Sequence, residues 1–268
     1  MASGDITAKR GTISEKNCAV FDGVNDYVEI PHDASQLGAN LSNGFTISAW
    51  INPKSIGETS GIILDKSAGT AAQTGFQFRM GIAGNKLVVF RLNNGNPASS
   101  AANSINFENW QHVIVTVSSG QLANFYVNGV LSGTANQDAV QTISTITTTN
   151  APRIGNRATA TDKTFDGGIA QVKMWNKVLT ATEIASDYAG SKTAVGNLIL
   201  NVPLTNDYTE KAKGLTLTNS GSYLANTLQN RIVGDARQLN LAAATDKIIA
   251  VSSQGRAVIK LVSANRAA

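Results

Sequence analysis

From Cys18 onward the chain is a succession of short apolar stretches broken by polar turns: CAVF, YVEI, FTISAWI, GIILDK, FQFRMGI, KLVVFRL, WQHVIVTV, LANFYVNGVL, PRIG and GIAQVKMWN. Several alternate apolar and polar residues with a period of two, as a strand with one buried face does. Gly, Asn, Ser and Pro cluster between them, where turns are needed. Many short strands at this spacing predict an all-β fold, an antiparallel sandwich of two sheets. Within LANFYVNGVL, Asn128-Gly129 suits a two-residue hairpin turn, because both residues tolerate positive φ. Trp50, Trp110 and Trp175 each lie in an alternating run and are predicted to fill the core.

One stretch breaks the period. LTATEIASDYAG predicts a short helix opened by a capping box, with Thr180 as N-cap and Glu183 three residues on. Leu179, Ile184 and Tyr188 are then placed to face the sheet, and Gly190 ends the helix. Residues 198–221 predict two more strands around a polar loop. IIAVS and RAVIKLVS flank SQG and predict a hairpin near the C-terminus. The β-branched QTISTITTT, residues 141–149, predicts a strand or an exposed edge.

Composition divides the chain into three parts: an N-terminal arm at 1–16, a sandwich at 17–221 and a basic C-terminal segment at 222–268. The chain has 268 residues, 42 % hydrophobic and 15 % charged, as expected of a folded protein. Its net charge of +4 belongs wholly to residues 222–268. There Arg231, Arg237, Lys247, Arg256, Lys260 and Arg266 face only Asp235 and Asp246. Cys18 is the only cysteine, so no intrachain disulfide forms and the thiol reads as a small buried hydrophobe. MASGDITAKR has no apolar run and does not read as a signal peptide, and no segment is apolar enough to cross a bilayer. Synthesis in a cytoplasm is the expectation, with no membrane partner.

The order AVFDGVNDYVEIP, FTISAWINP, GIILDK, WQHVIVTVSSGQLANFYVNGVL, PRIGNR and FDGGIAQVKMWNKVLTATEI closely resembles the laminin-G-like jelly-roll family of the concanavalin A-like lectin/glucanase group. The resemblance spans roughly residues 17–190, and LILNVPLTNDY looks like the strand bordering such domains. It implies a concanavalin A-like jelly roll with one short helix and terminal extensions. Because one sandwich hosts many unrelated tasks, it leaves function open.

The resemblance also implies where to look for chemistry. Many members bind calcium at the rim through hard oxygen ligands. Here Asp22, Asn25, Asp26, Asp162 and Asp166 are the candidate ligands. Where members often carry two acids in the corresponding strand, this chain has Ala170 and Gln171. The alternative is that Asp22 and Asp26 only cap the tight turn in FDGVNDYVEIP. The related glucanases carry carboxylates two positions apart on one strand, and no two of the 18 acidic residues here are so spaced. Of the two histidines, His32 and His112, the latter sits in a strand motif where a structural role is expected. The chain is therefore expected not to be an enzyme.

The leading expectation is a structural or assembly protein, a bacteriophage virion component that decorates capsid or tail. Its terminal arms would anchor it among copies of itself or other chains. Arg231, Arg237, Lys247, Arg256, Lys260 and Arg266 would meet an acidic partner surface. The alternative is an extracellular glycan-binding adhesion module, calcium-dependent if the corner binds metal. Scattered tail charges with a single aromatic, Tyr223, argue against a nucleic-acid partner.

Overall fold

A computed structural model describes residues 17–68, 74–81, 86–93, 95–136, 143–205, 207–225, 247–253 and 256–262. The predicted N-terminal arm, 1–16, lies outside these residues, as do Arg231, Arg237 and Arg266. Internal contacts divide the chain into two units, Met1–Ala225 and Asn226–Ala268.

In chain order the first unit holds β1 (Cys18–Asp22), β2 (Tyr27–Glu29), α1 (Gly38–Leu41), β3 (Gly44–Pro53), β4 (Ile62–Ser67), β5 (Gly75–Met80) and β6 (Val88–Leu92). It continues with β7 (Ala98–Ser99), β8 (Gln111–Ser118), β9 (Leu122–Val127), β10 (Val130–Asn136), β11 (Arg153–Ile154), β12 (Asp166–Trp175), α2 (Ala181–Tyr188), β13 (Leu198–Val202), β14 (Thr218–Ser220) and β15 (Tyr223–Ala225). The first sheet has the order β10-β9-β8-β3-β12-β1-β15. β1 pairs with the start of β12 and β13 with its end, and the change of partner falls at a bulge. At that bulge Gln171 takes a φ of 52° and its N–H turns to Pro203 O. The second sheet has the order β14-β2-β11-β4-β5-β6-β7. Every named strand pair is antiparallel, as predicted. Tyr223–Ala225, which composition grouped with the C-terminal segment, hydrogen-bond to β1.

Alternation builds the core between the sheets. Phe45, Ile47, Ala49 and Ile51 of β3 and Val113, Val115 and Val117 of β8 meet Phe76, Phe78 and Met80 of β5 and Val88, Phe90 and Leu92 of β6. Phe45, Phe76 and Phe90 form an aromatic centre with centroids 5.8–6.2 Å apart. The predicted hairpin turn is present, with Asn128 at φ 50° and Gly129 at φ 79°.

Helix α2 forms as the sequence predicts. The Thr180 hydroxyl accepts from Glu183 N, and Glu183 Oε2 accepts from Thr180 N. Its Ile184, with Leu179 before it, packs on Ile114 and Trp175 in a second cluster. This cluster corrects the prediction for the tryptophans, because none of the three belongs to the core between the sheets. On β3 the aliphatic positions 47, 49 and 51 point inward, so Trp50 shares the outward phase of Thr46 and Ser48. Trp50 is half-buried and stacks on Tyr188 at 5.7 Å. Trp110 is also half-buried. Trp175 is buried, but beneath α2, and donates its indole N–H to Thr193 O.

Residues 143–145 form a 3₁₀ turn instead of the predicted strand. Ile143 and Ile146 are drawn into the core, and Ile146 O accepts from Gly38 N. Burying two isoleucines that lie three apart suits a turn better than a strand.

In the second unit β16 (Lys247–Ser253) and β17 (Arg256–Val262) form an antiparallel pair in register from Lys247↔Val262 to Ser253↔Arg256. This is the hairpin predicted from the sequence. Lys247, Arg256 and Lys260 lie on its strands.

Candidate functional site

The corner FDGVNDYVEIP is a turn tied by its own carboxylates. Asp22 Oδ1 accepts from Val24 N at 2.8 Å, and Asp26 Oδ2 accepts from Asp22 N at 2.9 Å. Asp26 is buried, which raises its carboxyl above the ordinary range. Asp166 is the cross-strand partner of Asp22, and its Oδ2 accepts from Ser55 Oγ at 2.8 Å. The structure thus brings Asp22, Asp26 and Asp166 to one end of the sandwich, with Asn25 exposed on the turn. Asp162 is held elsewhere, in an ion pair with Arg157 at 2.9 Å. Among the described residues no group of three or more His, Cys, Asp or Glu side chains is arranged to hold a metal ion. At the positions compared with the family's acids, Ala170 is buried and Gln171 forms the bulge.

A richer polar constellation lies on the outer face of the second sheet. Val28, Ile154, Leu64, Phe78 and Phe90 point into the core, so their neighbours point out. The registers of β2, β11, β4, β5 and β6 then align Glu29, Arg153, Asp65, Gln77 and Arg91 in one row. Arg79 lies one step along on β5. Arg153 Nε donates to Glu29 Oε2 at 2.9 Å, and its guanidinium sits 3.8 Å from the Tyr27 ring centroid. Asp65 is fully buried. Its Oδ1 accepts from Ser67 N, Ser67 Oγ and Ala158 N at 2.8–3.2 Å. Its Oδ2 is buried without a hydrogen-bond partner, and so are Arg79 Nε and Arg157 Nε.

The loop from Gly155 to Phe165 borders this row. Phe165 N donates to Gly155 O and closes it. Gly155 has φ 87° and lies against the Phe21 ring, where a Cβ would overlap the ring. Inside the loop Asn156 is fully buried. Its Oδ1 accepts from Arg157 N at 2.9 Å and Lys163 N at 3.2 Å. Its Nδ2 donates to Thr164 Oγ1 at 2.7 Å and to Asp26 O at 3.4 Å. One amide side chain therefore joins the loop to the corner and sets Arg157 and Lys163 beside the row.

Five cations, Arg79, Arg91, Arg153, Arg157 and Lys163, and three carboxylates, Glu29, Asp65 and Asp162, share this region. Asp65, Gln77 and Arg79 are buried, whereas Arg91, Arg153, Arg157 and Lys163 are half-buried. Burial pushes the Asp65 carboxyl up. Burial, and then the Arg91 charge, weakens proton binding by Arg79. Burial, and then the Arg79 charge, does the same for Lys163. Buried donors and acceptors left open beside half-buried cations can receive a polar ligand.

Two other polar clusters are largely buried. Beneath α2, His112 Nε2 lies 3.1 Å from Asp187 Oδ2, and Lys173 Nζ donates to Asp187 Oδ1 at 2.6 Å. His112 and Asp187 are both buried there. On the core side of β4, Lys66 is buried with Nζ 3.0 Å from His32 Nδ1 and 2.9 Å from Asn150 O. Burial lowers Lys66 to about 8.

Sequence reasoning did not find the row, because it exists only through the register of five strands. The signal present was phase. Asp65 follows Leu64, and Gln77 and Arg79 interleave with Phe76, Phe78 and Met80, so polar and charged groups were bound for one face.

Comparison with known proteins agrees with this architecture. The laminin-G-type model described as the concanavalin A-like lectin/glucanases superfamily matches residues 22–185, more than half of the chain, and the chain belongs to that superfamily. A presumed carbohydrate-binding protein from Bacteroides ovatus superposes with a TM-score of 0.62 at 16% identity, covering 79% of this chain and 60% of its own. The heptameric SAP-like pentraxin of Limulus polyphemus gives 0.52 at 14% identity, covering 78% and 94%. Tailspike protein 2 of the Escherichia coli O157:H7 bacteriophage CAB120 gives 0.50 at 13% identity, covering 75% and 31%. At these identities the likeness is one of fold. No curated protein matches the chain.

Proposed function

We propose that the chain is a non-catalytic carbohydrate-recognition module that takes its ligand on the outer face of the second sheet. The observation that carries this reading is the row Glu29–Arg153–Asp65–Gln77–Arg91, with Asp65 Oδ2 and Arg79 Nε buried and open beside it. Saccharides present closely spaced hydroxyls, each a donor and an acceptor, and such a mixed row answers both roles. The half-buried Tyr27 ring, covered on one face by the Arg153 guanidinium, adds an aromatic surface of the kind sugar rings pack against. Membership of a lectin-containing superfamily supports the reading without fixing the ligand. The test is a glycan array probed with the full chain. Specific binding that Arg153→Ala weakens is the expected result. Absence of binding to any glycan refutes the reading, and release of reducing ends from a bound glycan refutes its non-catalytic part.

A second reading concerns assembly. Among the described residues the unit Asn226–Ala268 holds a two-stranded sheet, and a hairpin by itself is marginally stable in water. We infer that this segment docks on another chain in an assembly, a virion being the setting first expected. Particles carrying the full chain but not a chain ending at Ala225 would support this. Equal incorporation of both would refute it.

A further inference from the structure

We propose, on the basis of the carbohydrate reading above, that the saccharide bound on this face is an acidic one, whose anionic group is held by Arg79, Arg157 and Lys163 while Asp65 accepts from a neighbouring hydroxyl. Arg79 uses Nη1 on Met80 O, at 3.2 Å, and Arg157 uses Nη2 on Asp162. Both keep Nε buried without an acceptor. A guanidinium pairs with a carboxylate or sulfate through two parallel N–H groups, and the Nε edge is one place where it does so. Lys163 contributes a third cation to the same region, with Nζ 3.4 Å from Ser60 Oγ. Burial, and then the charges of Arg79 and Arg157, weakens its hold on its proton. An incoming anion relieves that repulsion and fills the vacant acceptor positions.

The carboxylates of the region do not already do this. Glu29 is engaged by Arg153 and Asp162 by Arg157. Asp65 Oδ1 is saturated by three donors. Asp65 Oδ2 is buried near the Gln77 amide without a hydrogen-bond partner, and an acceptor among cations suits a hydroxyl donor adjacent to the anionic group. The complementary ligand therefore carries an acid group and a hydroxyl close together, as a sugar acid or a sulfated sugar does. Arg157 and Lys163 are half-buried, at the accessible side of the cluster.

The test uses the full chain on an array of uronic-acid, sialylated and sulfated glycans beside their reduced, desialylated and desulfated counterparts. Acidic members should bind at least about tenfold more tightly than their neutral partners, the worth of one charge-assisted hydrogen bond. Arg157→Gln and Lys163→Gln should each weaken binding by a similar factor and flatten its salt dependence, with little change in Tm. The uronate, sialyl and sulfate arms identify which acid is taken. Equal binding of acidic and neutral partners overturns this inference and leaves the carbohydrate reading standing, as does undiminished binding by both variants. Absence of binding to every glycan overturns both.

Discussion

Asn156→Ala tests whether a single buried amide holds the loop from Gly155 to Phe165 in place. The side chain makes four hydrogen bonds, two of which satisfy the backbone N–H groups of Arg157 and Lys163. Alanine leaves those groups and the buried Thr164 hydroxyl without partners. At about 1 kcal/mol net per bond the expected loss is about 3–4 kcal/mol. For a folded unit of this size that corresponds to a fall in Tm of about 10 °C. Differential scanning calorimetry of parent and variant at neutral pH gives the comparison. Binding on the glycan array should weaken in parallel, because Arg157 and Lys163 lose their anchor. A fall of less than about 3 °C for Asn156→Ala would refute the assignment of the loop's stability to this amide.

Other expectations follow from buried or paired groups. Trp175→Ala should cost about 3–5 kcal/mol, since the indole is fully buried under α2 and donates to Thr193 O; a Tm within a few degrees of the parent would contradict that packing. Burial raises Asp33, but hydrogen bonds from Lys213 and Ser35 outweigh it and hold the carboxyl at about 2, against 3.8 unfolded. The stability this lends is full above about pH 4 and is lost as pH falls from there to about 2. The Tm gap between parent and Lys213→Ala should therefore close over that interval, and a gap constant to pH 2 would contradict it. At the corner, Asp22 and Asp26 oxygens are already engaged by backbone N–H groups, so chelator should leave Tm unchanged. A chelator-dependent fall of several degrees, reversed by excess calcium, would show a cation bound there.

Local pattern was enough for much of this molecule. The capping box at Thr180 and Glu183, the positive-φ pair Asn128-Gly129 and the alternation of Phe45, Ile47, Ala49 and Ile51 act over a few residues. Each appears in the structure where the sequence placed it. The order of motifs carried the superfamily for the same reason, because each motif encodes its own strand or turn. Periodicity shows that a strand has two faces but not which face holds a given aromatic. Trp50 therefore went out with Thr46 and Ser48, and α2 covers Trp175 on the outside of the sheet. The β-branched run at 143–146 became a turn because Ile143 and Ile146 gained more by entering the core than by extending an edge. The polar row on the second sheet was beyond local reasoning altogether. Glu29, Arg153, Asp65, Gln77 and Arg91 are distant in sequence and meet through backbone hydrogen bonds among five strands. A shift of one residue in any strand would send its member into the core. The sequence alone determined most of the strands, the caps and the superfamily. Tertiary register decided which polar side chains share a face, because only long-range pairing fixes the phase of one strand against the next.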